Sequence, residues 1–235
     1  MLKYKIKNIF IDIDNTITDS IEEKFEPFKY YCVELMMEKK SLSRELADKF
    51  VDDAFNVGNV LIEPMLEYLR LPILEYCERL VEHFKKSISV FPDADFLLKE
   101  LRKQNFDVYP ATTNSSFAIL TKIAVGGLAK DLKTPYFKTL MGGSEVHPEG
   151  KSGPFFYTAL MEKLKVSPET VLMIGDNREA DAYFAIAAGI KYVVIIDRAQ
   201  KEAVLHGKQG EIIVNSLKEV VNILKENTIY TGEKC

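Results

Sequence analysis

Hydrophobic positions along the chain follow two alternating rhythms. Short, near-continuous apolar runs occur at residues 6–13 (IKNIFIDI), 106–113 (FDVYPATT), 170–176 (TVLMIGD) and 191–198 (KYVVIIDR), with a weaker one at 211–216 (EIIVNS). Between them, residues 93–105, 153–165, 178–189 and 216–227 carry apolar side chains at helical spacing. Pro92 and Asp93 are start signals for the first of these helices, and Gly189 is a stop for the third. Strand–helix alternation with strands apolar on both sides predicts an α/β, Rossmann-like core, a parallel sheet with helices on both faces.

Residues 18–89 break that alternation. They contain no strand-like run, and helical patterns occupy 21–40, 43–55, 60–70 and 72–86, separated by turn signals at Ser41, Asn56–Asn59 and Leu71–Pro72. The expected organisation is a core of residues 1–17 and 90–235 interrupted by an all-helical insertion at 18–89. A length of 235 residues suits one core domain with a modest insertion.

Composition narrows the function classes. The net charge of −4, with no basic stripe, gives no footprint for nucleic acid. The apolar run near the N-terminus is too short for a signal peptide or a membrane span. Cys32, Cys77 and Cys235 are odd in number and far apart, which suits a reducing, cytoplasmic setting without disulfides or thiolate metal sites. His83, His147 and His206 lack metal-ligand spacing, and the aromatic run FEPFKYY (25–31) has the spacing of a helix core.

One polar pattern contradicts the apolar rhythm. Asp12 and Asp14 interrupt the first strand, and an unpaired buried carboxylate costs several kcal/mol or shifts its pKa. Ligands of open parallel sheets sit beyond the carboxyl ends of the strands. There the first strand delivers Asp12, Asp14 and Thr16, and the second delivers Thr112, Thr113, Asn114 and Ser115. The 170–176 strand delivers Gly175, Asp176 and Asn177, with Asp181 one helical turn on, and Lys151 precedes the helix at 153–165. Each alone is more often a turn former, a helix cap or a solvated lysine. Together they suit a phosphoryl group and a hard cation. Clustered carboxylates call for a divalent ion, all-oxygen ligation suits Mg²⁺, and a hydroxyl, amides and a lysine can hold phosphate oxygens.

In this order the residues resemble the motifs of the haloacid dehalogenase superfamily. Asp12-Ile13-Asp14-Asn15-Thr16 matches DxDx(T/V), Thr113 in ATTNSS matches the second motif, Lys151 the third, and Gly175-Asp176 through Asp181 matches GDxxxxD. The resemblance implies Asp12 as nucleophile, Asp14 as general acid and base, and Mg²⁺ held by Asp12, the Asp14 carbonyl and Asp176. It further implies phosphoryl oxygens on Thr113, Asn114 and Lys151. Asp181 would support the metal's water shell or orient Lys151, Asn177 would lie behind the site, and Thr16 would fix the Asp loop. The insertion resembles a C1 cap that closes over the site, with hinges near Thr18–Ser20 and Ser89–Pro92. Asn56–Asn59 would then be a recognition loop, and Lys24, Arg44 and Arg70 candidate anion contacts.

Dehalogenases of the superfamily lack an acid at the Asp14 position, whereas an alkoxide leaving group needs a proton. The resemblance therefore implies a phosphatase acting on a small phosphorylated metabolite. The alternatives are a phosphomutase of the β-phosphoglucomutase type or a non-catalytic phosphate-binding protein. Lys24 stands where those mutases carry a histidine, and Lys151-Ser152-Gly153-Pro154 departs from the frequent K-P-x-P. Sugar phosphate, phosphoglycolate and nucleotide monophosphate remain open as substrates, as does the oligomeric state.

Overall fold

The computed structural model describes residues 6–20, 26–57 and 62–229. The chain runs β1 (Asn8–Ile11), β2 (Thr18–Ser20), α1 (Glu26–Lys40), α2 (Arg44–Val57), α3 (Ile62–Tyr68), α4 (Ile73–Phe84), β3 (Ile88–Val90), α5 (Pro92–Lys103) and β4 (Asp107–Pro110). It continues through α6 (Ser116–Val125), α7 (Gly143–Val146), α8 (Pro154–Leu164), β5 (Val171–Gly175), a π-helical turn (Arg178–Tyr183), α9 (Phe184–Ala187), β6 (Tyr192–Ile196), β7 (Val204–His206), β8 (Ile212–Val214) and α10 (Lys218–Ile229).

Six strands form one sheet in the order β4-β1-β5-β6-β8-β7. From β1 the chain first builds β4 on one flank and then β5 on the other, with Ile9 opposite both Val108 and Leu172. Such a reversal of strand order opens a crevice at the carboxyl end of the central strand. One face of the sheet packs Phe10, Met173, Val193 and Ile195 against Phe156, Tyr157 and Leu160 of α8. On the other, Leu172, Val194 and Ile212 lie beside Ile223 and Leu224 of α10, which packs on α5.

The chain divides into two compact units, residues 1–19, 90–116 and 135–235 in the first and 20–89 with 117–134 in the second. The helical unit is built on Cys32, Leu35, Val51, Leu66, Tyr76, Leu80 and Phe117, all at most 1% exposed. Tyr76 satisfies its hydroxyl on the Phe28 carbonyl (2.9 Å) and sets its ring 5.4 Å from that of Phe117.

Several expectations are corrected. Residues 117–134 cluster with the helical unit, not the sheet, because α6 is apolar nearly all round and buries Phe117, Ile119, Leu120 and Ile123. The sheet is not wholly parallel: β7 runs antiparallel to β8, since the turn between them is too short for a crossover. Residues 18–89 do contain extended backbone at their two ends, where β2 and β3 form a two-stranded ribbon. The helix expected over 178–189 begins as a π turn, with the Phe184 amide reaching back to the Glu179 carbonyl.

Arg44, a candidate anion contact, pairs with Glu34 and Asp48. Arg70 is exposed in a left-handed turn, while Lys24, Cys235 and residues 58–61 lie outside the described residues. Cys32 and Cys77 are buried thiols. Among the described residues no helix is long and apolar enough to cross a membrane.

Candidate active site

β1 is buried along its length and ends where its chemistry begins. The Asp12 amide continues the ladder by donating to the Ile174 carbonyl (2.9 Å). The chain then turns sharply. The amides of Ile17 and Thr18 both return to the Ile13 carbonyl, and Asn15 adopts φ 56°, a left-handed conformation that Asn tolerates better than most residues. That turn presents Asp12, 7% exposed, and the half-buried Asp14 from one loop.

The Lys151 ammonium uses its three protons on the Asp12 Oδ1 (2.9 Å), the Asp181 Oδ1 (2.5 Å) and the Ala111 carbonyl (2.8 Å). Asp181 has no exposed surface, and its second oxygen accepts from the Asn177 amide (2.9 Å). Gly175 makes that seat possible, because a Cβ there would lie 2.1 Å from Asp181 Oδ2. Asp181 thus forms a buried ion pair with Lys151. The lysine is firmly held despite its departure from K-P-x-P, with Gly153 and Pro154 opening α8 directly behind it. Asn177 caps the π turn, its side chain accepting from the amides of Glu179 and Ala180.

On the opposite side, Asn114 Nδ2 donates to Asp14 Oδ2 (2.6 Å) and to Thr112 Oγ1 (2.9 Å). Thr112 is buried beneath the loop and Thr113 is exposed at its surface. Thr16 is fully buried, yet its hydroxyl has no hydrogen-bond partner among the described residues, and the loop is held through its carbonyl instead, which accepts from Arg198 (3.1 Å). Thr16→Val is therefore expected to leave unfolding free energy unchanged or raise it by up to about 1 kcal/mol, read from urea titration. A loss larger than that would show a hydroxyl that is hydrogen-bonded.

The electrostatics are dominated by carboxylates. Oxygens of Asp12, Asp176 and Asp181 lie within 4.8 Å of one another. Burial, and after it the charge of Asp12, pushes the Asp176 carboxyl up to about 6. Burial also raises Asp12 above the usual carboxylate range against the pull of Lys151, with Asp181 and Asp14 adding to the rise. For Lys151 burial works against the charge, but Asp12 and Asp181 outweigh it and hold the ammonium protonated.

A hard divalent cation fits this set. The donors are all oxygen and the acids outnumber the single lysine. Both oxygens of Asp181 are already engaged, so Asp12 and Asp176 are the carboxylates best placed to hold such an ion.

Some contributors carried no signal that was read from sequence. Glu145 accepts from the Ser116 amide (3.1 Å), the Ser116 hydroxyl (2.6 Å) and the Gly142 amide (3.0 Å), which ties the Thr113–Asn114 loop to the segment leading to Lys151. Gly143, at φ +49°, donates to the Thr112 carbonyl (2.9 Å), and a Cβ there would lie 2.5 Å from the Thr113 carbonyl oxygen. Only glycine fits that approach. Tyr157, wholly buried, donates to the Ala180 carbonyl (2.8 Å) and braces the turn that carries Asp181.

The chain matches the sequence model of the haloacid dehalogenase-like hydrolases over residues 6–189. It is 21% identical over 226 residues to the pyrophosphatase PpaX of Oceanobacillus iheyensis, covering 94% of this chain and 98% of that one. To a phosphoglycolate phosphatase of Vibrio parahaemolyticus it is 23% identical over 232 residues, covering 95% and 98%. The solved structure of the HAD-hydrolase YfnB from Bacillus subtilis, bound to magnesium, shares the fold with a TM-score of 0.55 at 18% identity, covering 94% of this chain and 100% of that one.

Proposed function

The chain belongs to the haloacid dehalogenase-like hydrolases, and we propose that it hydrolyses a small phosphomonoester through a phosphoryl group carried transiently on Asp12. The observation that carries this reading is the paired clamp on one loop: Lys151 holds Asp12, and Asn114 holds Asp14. Two carboxylates in different surroundings can take different parts.

The oxygen of Asp12 not held by Lys151 attacks phosphorus, and the ester P–O bond breaks as Asp14 gives its proton to the leaving oxygen. Asp14, now a carboxylate, takes a proton from water as that water attacks phosphorus. The bond to Asp12 breaks and inorganic phosphate is released. Thr113 holds a phosphoryl oxygen, and Lys151 and Asn114 do so by giving up their hydrogen bonds to the Ala111 carbonyl and to Thr112. Asp12, Asp176 and the Asp14 carbonyl would hold Mg²⁺, which when bound would offset the charge of the transferring group. Asp14 also separates this chemistry from dehalogenation, because an alkoxide leaves poorly without a proton. The phosphatase and pyrophosphatase names of the relatives support the same class. The helical unit is read as the cap that selects the substrate, and Asn177 and Asp181 as supports that set Lys151.

Phosphate release from a panel of phosphomonoesters tests the reading. Mg²⁺-dependent release that stops on chelation is expected. An isomerised phosphorylated product without phosphate release would contradict it. Metal binding should also depend on pH. A carboxyl raised from 3.8 to about 6 binds its proton more tightly in the folded state, so the stability it confers is present at low pH and lost as pH rises through about 6. That proton competes with the cation. The rise in melting temperature caused by Mg²⁺ is therefore expected to be small at about pH 5 and full above about pH 7. A Mg²⁺ effect that is equal across that range would contradict the assignment of Asp176.

A further inference from the structure

Just beyond the carboxyl end of β6, Arg198 reaches across to the Asp loop, 183 residues away from Asn15 in sequence. Its Nη1 donates to the Asn15 carbonyl (2.8 Å), and its Nη2 to the Thr16 carbonyl (3.1 Å) and to Asp93 Oδ1 (3.1 Å). The guanidinium also lies 3.7 Å from the centroid of the Phe91 ring. Its partner is itself anchored, since Asp93 Oδ2 accepts from the Leu217 amide (2.9 Å) and the Ser216 hydroxyl (3.3 Å). Beside it the Phe91 amide donates to the Ile17 carbonyl (3.0 Å).

One planar fork thus joins the two peptide groups after Asp14 to the segment where the chain returns to the sheet unit. A lysine would not reproduce this arrangement, because its three donors radiate from a single nitrogen and lack the planar fork that spans the two carbonyls and Asp93. The loop needs such a brace. Asn15 holds a left-handed φ, and the Thr16 hydroxyl adds no hydrogen bond of its own. Upstream, Asp12 is fixed by β5 and Lys151. Downstream, Asp14 is held at its carboxyl by Asn114 and at the following peptide by the Asn15 amide on the Thr18 carbonyl (2.7 Å), while the next two carbonyls, of Asn15 and Thr16, are held by Arg198.

We infer that Arg198 is a positioning residue for Asp14: by holding the Asn15 and Thr16 carbonyls it keeps the Asp14 carboxyl on Asn114 and aimed at the leaving oxygen. The inference rests on the proposed acid role of Asp14, and it makes a demand that a merely structural arginine would not. Loss of the acid harms substrates whose leaving group needs a proton and spares those whose leaving group does not.

The test compares kcat/KM for an alkyl phosphate and for an aryl phosphate with an acidic phenol, in the wild type, Arg198→Lys and Asp14→Asn, each with Mg²⁺. Arg198→Lys is expected to lose about 30-fold on the alkyl ester and less than about 3-fold on the aryl ester, with Asp14→Asn showing the same split more strongly. Equal losses on both esters, or none, in Arg198→Lys while Asp14→Asn shows the split would overturn the inference alone. No split in Asp14→Asn would overturn the acid role and the inference with it. Asp93→Asn, which keeps the arginine but removes its charged partner, is expected to show a weaker form of the same split. It decides the matter if Arg198→Lys does not fold.

Discussion

Asp12→Asn is expected to remove turnover, by about 10³-fold or more, while leaving the protein folded and no less stable. The two halves of that result have separate causes. The amide cannot attack phosphorus, so the first bond never forms. It also carries no charge to bury, and burial is the chief reason the Asp12 carboxyl sits above its usual range. Lys151 keeps Asp181 and the Ala111 carbonyl as partners. Release of phosphate from an aryl phosphate, with a melting curve on the same sample, checks both halves. Activity near the wild-type level in a folded Asp12→Asn protein would remove the nucleophile from the mechanism.

Lys151→Met should do the opposite to stability. It leaves Asp12 and Asp181 buried without their cation, and breaking such a pair by removing one partner costs roughly 3–5 kcal/mol. The deficit should depend on pH with a definite sign. Without the ammonium both carboxyls move further above their unfolded values, so the folded state binds the extra protons. Stability is then retained at low pH and lost as pH rises through the raised pKa values. Urea unfolding should therefore show a large deficit at about pH 8 and a smaller one at about pH 5. A deficit that is equal at both, or absent, would mean that the lysine does not neutralise these two acids. Turnover should fall as well, since the variant loses the cation that holds the proposed nucleophile Asp12.

The parts of this site that were legible in the sequence are those that violate the local rule. Asp12 and Asp14 stand out because they end a run of buried isoleucines, and Asp176 stands out at the end of VLMIG. Lys151 was legible only through its order among the motifs. The structure adds what motif order does not carry, the three donors of the ammonium spent on Asp12, Asp181 and Ala111.

Arg198 was missed for an instructive reason. It ends KYVVIIDR, and the carboxyl end of a parallel strand is where site residues gather, so its position was a usable signal. Its partners, however, are carbonyls, which leave no mark on side-chain identity. Glu145 escaped in the same way, since most of its acceptor contacts go to amides.

At the level of the fold, β2, β3 and β7 are three residues each, too short for any period to show. The helix α6 presents apolar residues in all directions. Such a run identifies a buried segment but not which neighbour buries it, and residues 117–134 were accordingly placed with the wrong unit.

The proposed phosphoryl group on Asp12 has a direct test in stereochemistry. A phosphomonoester made chiral at phosphorus with sulfur and oxygen isotopes would be hydrolysed in isotopically labelled water, with Mg²⁺ present. Transfer to Asp12 and then to water is two in-line displacements, and overall retention of configuration at phosphorus is expected. Inversion would show that water attacks the substrate directly and would contradict the phosphoryl-aspartate.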